Sequence, residues 1–327
     1  MAYKLDDILV IGVSSRSLFN LEKENKIYNE KGLKEFAKYQ YKNENKILEK
    51  GTAFPLIEAL LELNKKIVGK KFVEVVVMSR NSPETGLRMM NSIEHYDLDI
   101  TRTALTGGES LASYLDAFSI DLFLSKDEQD IQRAVDQDVA AAIIYDSPEI
   151  KELTKDEVRF AFDADAVVFS DESEFIYKEK GLDEFLKNEK AKRDSPLNEG
   201  PFAKLIKMLA KIQKEFPLGE APIRIGIVTA RNSPAHIRVI KTLKAWGVYV
   251  DSAFFLGGVS KDKILKAFKP HIFFDDQDNH VGPASRVVPS SRVPYKSTSK
   301  MGMREKQIAQ SKSKAKPKKT KAKRKKK

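Results

Sequence analysis

FAFDADAVVFSDESE, residues 160–174, is the stretch on which the reading of this chain turns. An apolar run from Val158 to Phe162, broken only by Arg159, stops at Asp163-Ala164-Asp165. Ala166-Val167-Val168-Phe169 follows, and then an acidic, hydroxyl-rich turn. Residues two apart on a strand face the same side, so the two carboxylates leave the strand end in roughly one direction. Such a pair repels itself unless a cation sits between the groups or one carries a proton. That arrangement suits Mg²⁺ binding and attack on a phosphate. Taken alone, a DxD more often marks an Asx turn closing a strand, and short motifs match by chance. The rest of the chain decides between the two.

Outward from this stretch the chain repeats itself. Glu30-Lys31-Gly32-Leu33 returns as Glu179-Lys180-Gly181-Leu182, and Arg80-Asn81-Ser82-Pro83 as Arg231-Asn232-Ser233-Pro234. Gly107-Gly108 returns as Gly257-Gly258, so the offsets are 149, 151 and 150 residues. Tyr28 and Phe36 match Tyr177 and Phe185. A period this long is a whole domain rather than a solenoid unit. Each copy alternates apolar strand-like runs with helix-like segments such as Phe54 to Leu63, which predicts a mostly parallel sheet covered by helices. The expected architecture is therefore α/β, with an internal duplication giving two related halves. The first half is residues 1–150, lacking catalytic residues, and the second is residues 151–300.

Comparing the copies separates scaffold from chemistry. Turn signals, the Gly pair and the apolar runs recur in both, but one polar set does not. Asp163 faces Ser14, Asp165 faces Arg16, Thr229 faces Met78, Lys261 faces Leu111, and Asp275-Asp276 face Ser125-Lys126. A structural role common to both copies does not explain residues found in only one, so the set reads as a single site. Each member follows an apolar run, and in open parallel sheets sites lie at the carboxyl ends of strands. Asp163 suits the nucleophile, forming an aspartyl-phosphate, and Asp165 the group that protonates the leaving oxygen and later activates water. Thr229 and Lys261 suit phosphate oxygens, with Thr229 expected at a helix N-terminus. Mg²⁺ would take oxygen ligands from Asp163 with Asp275 or Asp276, and Asp165 stands at the same metal end.

The segments VSSRSLFNLE, LTGGES, FDADAVVFSDESE, IVTARNSP, TLKAWGVYVD, FLGGVSK and PHIFFDDQ resemble those of the cytosolic 5'-nucleotidase type I family, within the haloacid dehalogenase-like phosphatases. The resemblance spans roughly residues 8 to 296. It implies a Rossmann-like parallel sheet with a small helical cap near residues 170–216. It also implies Mg²⁺-dependent hydrolysis of nucleoside 5'-monophosphates, AMP prominently. Carried over, Asp163 is the nucleophile, Asp165 the acid/base, Thr229 and Lys261 the phosphate binders, and Asp275 and Asp276 the metal end. FLGGVSKDK matches only partly around Lys261, leaving Lys263 as an alternative. Within the cap, Ser170, Asp171, Glu172 and Ser173 are candidates for ribose hydroxyls, and Phe175 and Tyr177 for stacking a base. Aromatics are more often buried, so a core role competes for Phe175, Tyr177 and Phe185. A phosphatase for other small phosphoesters, or a phosphotransferase, is the nearest alternative activity.

Composition adds exclusions. The chain has 327 residues, 41% hydrophobic, and no cysteine, which rules out disulfides, thiolate metal sites and cysteine nucleophiles. No segment has the length or apolarity of a membrane span or signal peptide, so a cytoplasmic protein is expected, with a homo-oligomer left open. The net charge of +11 misleads. Residues 304–327 hold 13 Lys or Arg against one acid, so the body is close to neutral. Residues 301–327 are expected to form a disordered Lys-rich tail, either merely solvated or making weak, salt-dependent contact with nucleic acid or another polyanion. Of the four histidines, His95 and His236 read as helix residues, His271 as a turn residue, and His280 as a neighbour of the metal end. Arg231 is expected to be structural, because Arg80 holds its place in the other copy.

Overall fold

The computed structural model describes residue 5, residues 8–148 and residues 153–315. In the first half, β1 (Leu9–Ser14) runs into the short α1 (Ser15–Leu18), followed by α2 (Glu22–Lys42) and α3 (Phe54–Leu63). Then come β2 (Val73–Ser79), α4 (Pro83–His95), β3 (Arg102–Leu105), β4 (Leu122–Ser125), α5 (Glu128–Asp136) and β5 (Ala140–Ile144). The second half opens with β6 (Val158–Phe162), α6 (Glu172–Ala191), α7 (Ala203–Gln213), β7 (Ile223–Thr229) and α8 (His236–Ala245). It closes with β8 (Ser252–Phe255), α9 (Asp262–Phe268), β9 (Ile272–Asp275), α10 (Asp278–Ala284), β10 (Ser290–Arg292) and α11 (Lys300–Ala315).

The ten strands of the described residues form one sheet in the order β3-β2-β1-β4-β5-β10-β9-β6-β7-β8. Every pairing is parallel except β5 with β10, where Ser291 opposes Ile144. The halves therefore join edge to edge through that antiparallel seam. The strands are near-continuous apolar runs, as expected where both faces of a parallel sheet are covered by helices. β2 is wholly buried and β1 likewise. Phe160, Phe162, Phe202 and Phe274 are fully buried and stack between sheet and helices, with Phe162 and Phe274 centroids 5.3 Å apart.

Several boundaries differ from the sequence reading. The charged segment after Phe19 is largely helix α2, which alternates charge so densely that its apolar stripe is faint. Gly32 breaks it with φ 79°, and its counterpart Gly181 breaks α6 at φ 80°. Pro83 opens α4 behind the Ser82 cap as expected, but after Arg231-Asn232-Ser233-Pro234 helix α8 starts only at His236. The stretch read as cap divides in two. Phe169 bridges Glu199, so the excursion over the sheet end is essentially α6, whereas α7 lies on the sheet with Leu205, Ile206 and Leu209 in the main core. The expected disordered tail is also shortened. α11 carries helix to Ala315, anchored by buried Met301 against Tyr295 and by Arg304 on Glu179 at 2.5 Å. Its remainder, residues 316–327, lies outside the described residues. Among the described residues, no helix is long and apolar enough to cross a membrane.

Candidate active site

Parallel register brings three strand ends side by side. β6 lies between β9 and β7, with Phe162 opposite Phe274 on one side and Ile227 on the other. Asp163 directly follows β6, Asp275 ends β9 and Thr229 ends β7. The ladder runs one step on, since the Asp163 N–H donates to the Phe274 carbonyl at 2.8 Å. Beyond it the backbone makes a tight π-type turn over Ala164–Val168, with Ala166 at φ 59° and the Asp163 carboxylate accepting from the Ala164 N–H at 2.8 Å. Gly257 and Gly258, both at positive φ, turn the chain after β8 and deliver Lys261 to the start of α9.

Lys261 is the cation between the carboxylates. Its Nζ lies 3.0 Å from Asp163 Oδ1 and 2.6 Å from Asp275 Oδ2, and all three groups are buried. Burial pushes the Asp163 carboxyl up to about 7; Lys261 opposes this, while Asp275 and Asp165 add to it. Asp275 is held below the usual carboxylate range, because Lys261 and His280 outweigh its own burial. The lysine is held above its ordinary value, its burial overcome by the two acids. Asp276 is pushed well above the usual range by burial and then by Asp275 and Asp163. Tyr295 donates its hydroxyl to Asp276 Oδ2, whereas the buried Oδ1 has no protein partner among the described residues.

The acidic cluster fits a hard divalent cation. Ligand atoms of Asp163, Asp275 and His280 lie within 4.8 Å of one another, and the orphaned Asp276 oxygen adds a further donor. His280, expected near the metal end, does sit there, its Nδ1 3.2 Å from both Asp275 oxygens. Thr229 is buried beside the strand end, but its hydroxyl accepts from the Arg231 N–H at 3.3 Å, and α8 begins too late for a helix N-terminus at this point. Lys263, the alternative to Lys261, is not among these contacts. His271 lies at a bend immediately before β9, as expected, and is buried there, its Nδ1 accepting from the Arg159 N–H at 3.1 Å and its Nε2 lying 2.8 Å from the Thr154 carbonyl.

Asp165 stands apart from the lysine cluster. Arg231 grips it with two bonds, Nε to Oδ2 at 2.7 Å and Nη2 to Oδ1 at 2.6 Å. The same guanidinium reaches Glu189 of α6 at 2.6 Å, and Glu189 also binds Arg238 at 3.0 Å. The cap candidates are mostly engaged within the protein. Ser173 is buried and donates to Glu189 at 3.0 Å, Asp171 accepts from the Met301 N–H at 2.7 Å, and Glu172 pairs with Lys192 at 3.0 Å. Ser170 donates its backbone N–H to the Asn198 carbonyl, Phe175 packs with Ala166, Tyr295 and Met301, and Tyr177 is half exposed against Phe185. Glu174, which the sequence reading passed over, faces the centre instead. It accepts from Gln277 at 3.2 Å, and its carboxyl is raised by burial. Beside Asp276 a cleft of about 600 Å³ opens between α6, α10 and α11, bounded by Lys178, Tyr295, Arg304 and Ile308.

Fold and site together define an open-sheet α/β protein with an acid–lysine centre at the carboxyl ends of adjacent parallel strands. The chain belongs to the 5'-nucleotidase family, whose sequence model matches residues 1–300. It is 37% identical over 294 residues to cytosolic 5'-nucleotidase 1B of Homo sapiens, a match covering 87% of this chain and 48% of that protein. The chain thus spans about half the length of this curated relative. Among solved structures it is similar to the HAD domain of effector protein Lem4 from Legionella pneumophila, at 15% identity and a TM-score of 0.27, over 47% of this chain and 93% of that one. It is also similar to histidinol dehydrogenase from Elizabethkingia anophelis, at 11% identity and a TM-score of 0.23, over 75% of this chain and 54% of that one. Scores this low carry no functional weight.

Proposed function

We propose that the protein is a Mg²⁺-dependent 5'-nucleotidase that hydrolyses nucleoside 5'-monophosphates, AMP among them, through an aspartyl-phosphate on Asp163. The observation that carries this reading is the buried Asp163–Lys261–Asp275 cluster at neighbouring strand ends. An Asp163 oxygen attacks phosphorus as the bond from phosphorus to the nucleoside 5'-oxygen breaks. Asp165 gives that oxygen a proton, and nucleoside leaves. Water then attacks the phosphorus of the acyl phosphate, Asp165 takes its proton, and phosphate departs with Asp163 regenerated. Lys261 and Thr229 hold phosphate oxygens through both steps. A divalent cation held by Asp163 with Asp275 or Asp276 would withdraw charge from the phosphate and favour the ionised form of Asp163.

The cleft beside Asp276 offers room for the nucleoside, at a volume ordinary for small-molecule sites. The matching strand orders, 3-2-1-4-5 and 8-7-6-9-10, support descent of the halves by duplication within a haloacid dehalogenase-like fold. In this reading the first half is a catalytically silent packing partner, since Ser14, Arg16, Met78, Leu111, Ser125 and Lys126 stand where the second half has its site. The reading includes a cytoplasmic location, and weak polyanion contact through the Lys-rich tail that is lost at high salt or on deleting residues 304–327. Phosphate release from a panel of nucleoside monophosphates, with Mg²⁺ and with EDTA, tests the enzyme reading. Metal-dependent release abolished in Asp163→Asn supports it; equal release by both proteins refutes the nucleophile.

A further inference from the structure

The chain of charges behind Asp165 is the least expected feature of the second half. Asp165, Arg231, Glu189 and Arg238 alternate in sign and link four elements: the turn after β6, the loop after β7, α6 and α8. Arg231 and Glu189 are almost fully buried. A buried ion pair is weak evidence for stability, because desolvation offsets most of the attraction. Its retention asks for another reason.

The first half supplies the comparison. Arg88 and Arg238 hold equivalent places, each Nε donating to a loop carbonyl, Lys46 at 2.6 Å and Ser195 at 2.9 Å. Ser92 and Thr242 likewise accept from the N–H groups of Leu48 and Leu197. The scaffold is thus kept, yet the carboxylate has moved. Arg88 pairs with Glu24 near the start of α2, where α6 has Ser173, while Gln40 stands where α6 has Glu189. Arg80 turns to Asp130 of α5, at 2.7 Å, and Arg16 stands in place of Asp165. A purely structural arginine would be satisfied in the first-half manner. Only in the half with Asp165 is the guanidinium turned to that carboxyl and braced from behind by a glutamate on the cap helix.

From this rewiring we infer that Arg231, braced by Glu189, is a positioning residue that fixes the Asp165 carboxyl for proton transfer at the leaving oxygen. The inference rests on the assignment of Asp165 as the proton donor. Arg231 fits a carboxylate as a planar fork, which sets orientation as well as distance. Each Asp165 oxygen keeps a second lone pair, on which the transferred proton can ride. The proton goes to the 5'-oxygen while the electron pair of the breaking P–O bond moves onto that same oxygen.

The experiment compares kcat/KM for AMP and for p-nitrophenyl phosphate. This ratio covers steps only up to departure of the leaving group, so later hydrolysis of the intermediate does not enter. A nucleoside alkoxide needs the proton; p-nitrophenolate leaves without it. Arg231→Gln is expected to lower the AMP value by about 10²-fold or more, in the range of general acid catalysis, and the aryl value by under about fivefold. Arg231→Lys recovers little, since an ammonium cannot make the fork. Glu189→Gln shows the same split in weaker form and keeps the test available if Arg231→Gln fails to fold. Asp165→Asn is the control. A split in Asp165→Asn without one in Arg231→Gln or Glu189→Gln overturns the inference alone, as does an equal loss on both substrates. Absence of a split in Asp165→Asn overturns the proton-donor assignment and the inference with it.

Discussion

Lys261→Met is the most informative single change, because it removes one cation from between two buried acids. At roughly 3 Å and an effective dielectric near 20, each attraction is worth about 5 kcal/mol before desolvation is counted. Met fills much of the same volume, and Asp163, with a carboxyl already near 7, can take up a proton in response. Breaking a buried pair by removing one partner generally costs about 3–5 kcal/mol, the loss expected at pH 8 without metal. The sign with pH follows from linkage. Without the lysine Asp163 rises further and Asp275 loses the cation that holds it down, so the folded variant binds more protons than the unfolded chain above about pH 4. Its stability then falls as pH rises, and the deficit against wild type shrinks by about 1 kcal/mol or more at pH 5.5. Urea denaturation at both pH values reads this out. Adding Mg²⁺ at pH 8 should restore more stability to the variant than to wild type, since binding to the folded state alone is stabilising. A variant within about 0.5 kcal/mol of wild type at pH 8, or one that weakens further on acidification, would refute the argument.

Three other outcomes are expected. Tyr295→Phe leaves both Asp276 oxygens buried without a protein partner, which should lower stability by about 1–3 kcal/mol in chelator and raise the Mg²⁺ concentration needed for half-maximal activity. Gly200→Ala places a Cβ 2.2 Å from the Phe169 carbonyl oxygen, so the loop carrying α6 must shift, and a loss of roughly 1–3 kcal/mol should appear as a lowered Tm. His271 is buried and its imidazole held below its ordinary value by that burial, so the unfolded chain binds the extra proton. Its contribution is full above about pH 6.5 and is lost as pH falls through the folded value; the urea midpoint of wild type should therefore fall more between pH 7.5 and 5 than that of His271→Gln.

Much of the candidate site was legible because most of its members fall at strand ends that periodicity locates. β6 and α3 have the bounds their apolar runs predict. The copy comparison then isolated Asp163, Thr229, Lys261, Asp275 and Asp276 without any structure. Arg231 shows what the same comparison leaves open. Arg80 matches it in sequence, but the two guanidiniums face different acids. Residue identity at a repeated position fixes what a side chain can do, whereas its partner depends on what the neighbouring elements present. Glu189 carried a usable signal in its exchange for Gln40, together with the Glu24 to Ser173 exchange, yet only the ion pairs in the folded chain reveal that it joins Asp165, Arg231 and Arg238 in one network.

The alternation of strands and helices, the spacing of about 150 residues between repeated segments and the polar set found only in the second half can all be read from the chain before it folds. These follow from local periodicity and side-chain chemistry, which need no knowledge of distant contacts. Tertiary structure alone decided that the halves share a single sheet through β5 and β10, and that α11 folds back to place Tyr295 on Asp276. It also decided that Asp165 belongs to Arg231 rather than to the Lys261 cluster. Those outcomes depend on pairings between residues up to 149 positions apart, whose geometry is set when backbone groups and buried charges must find partners inside a packed interior.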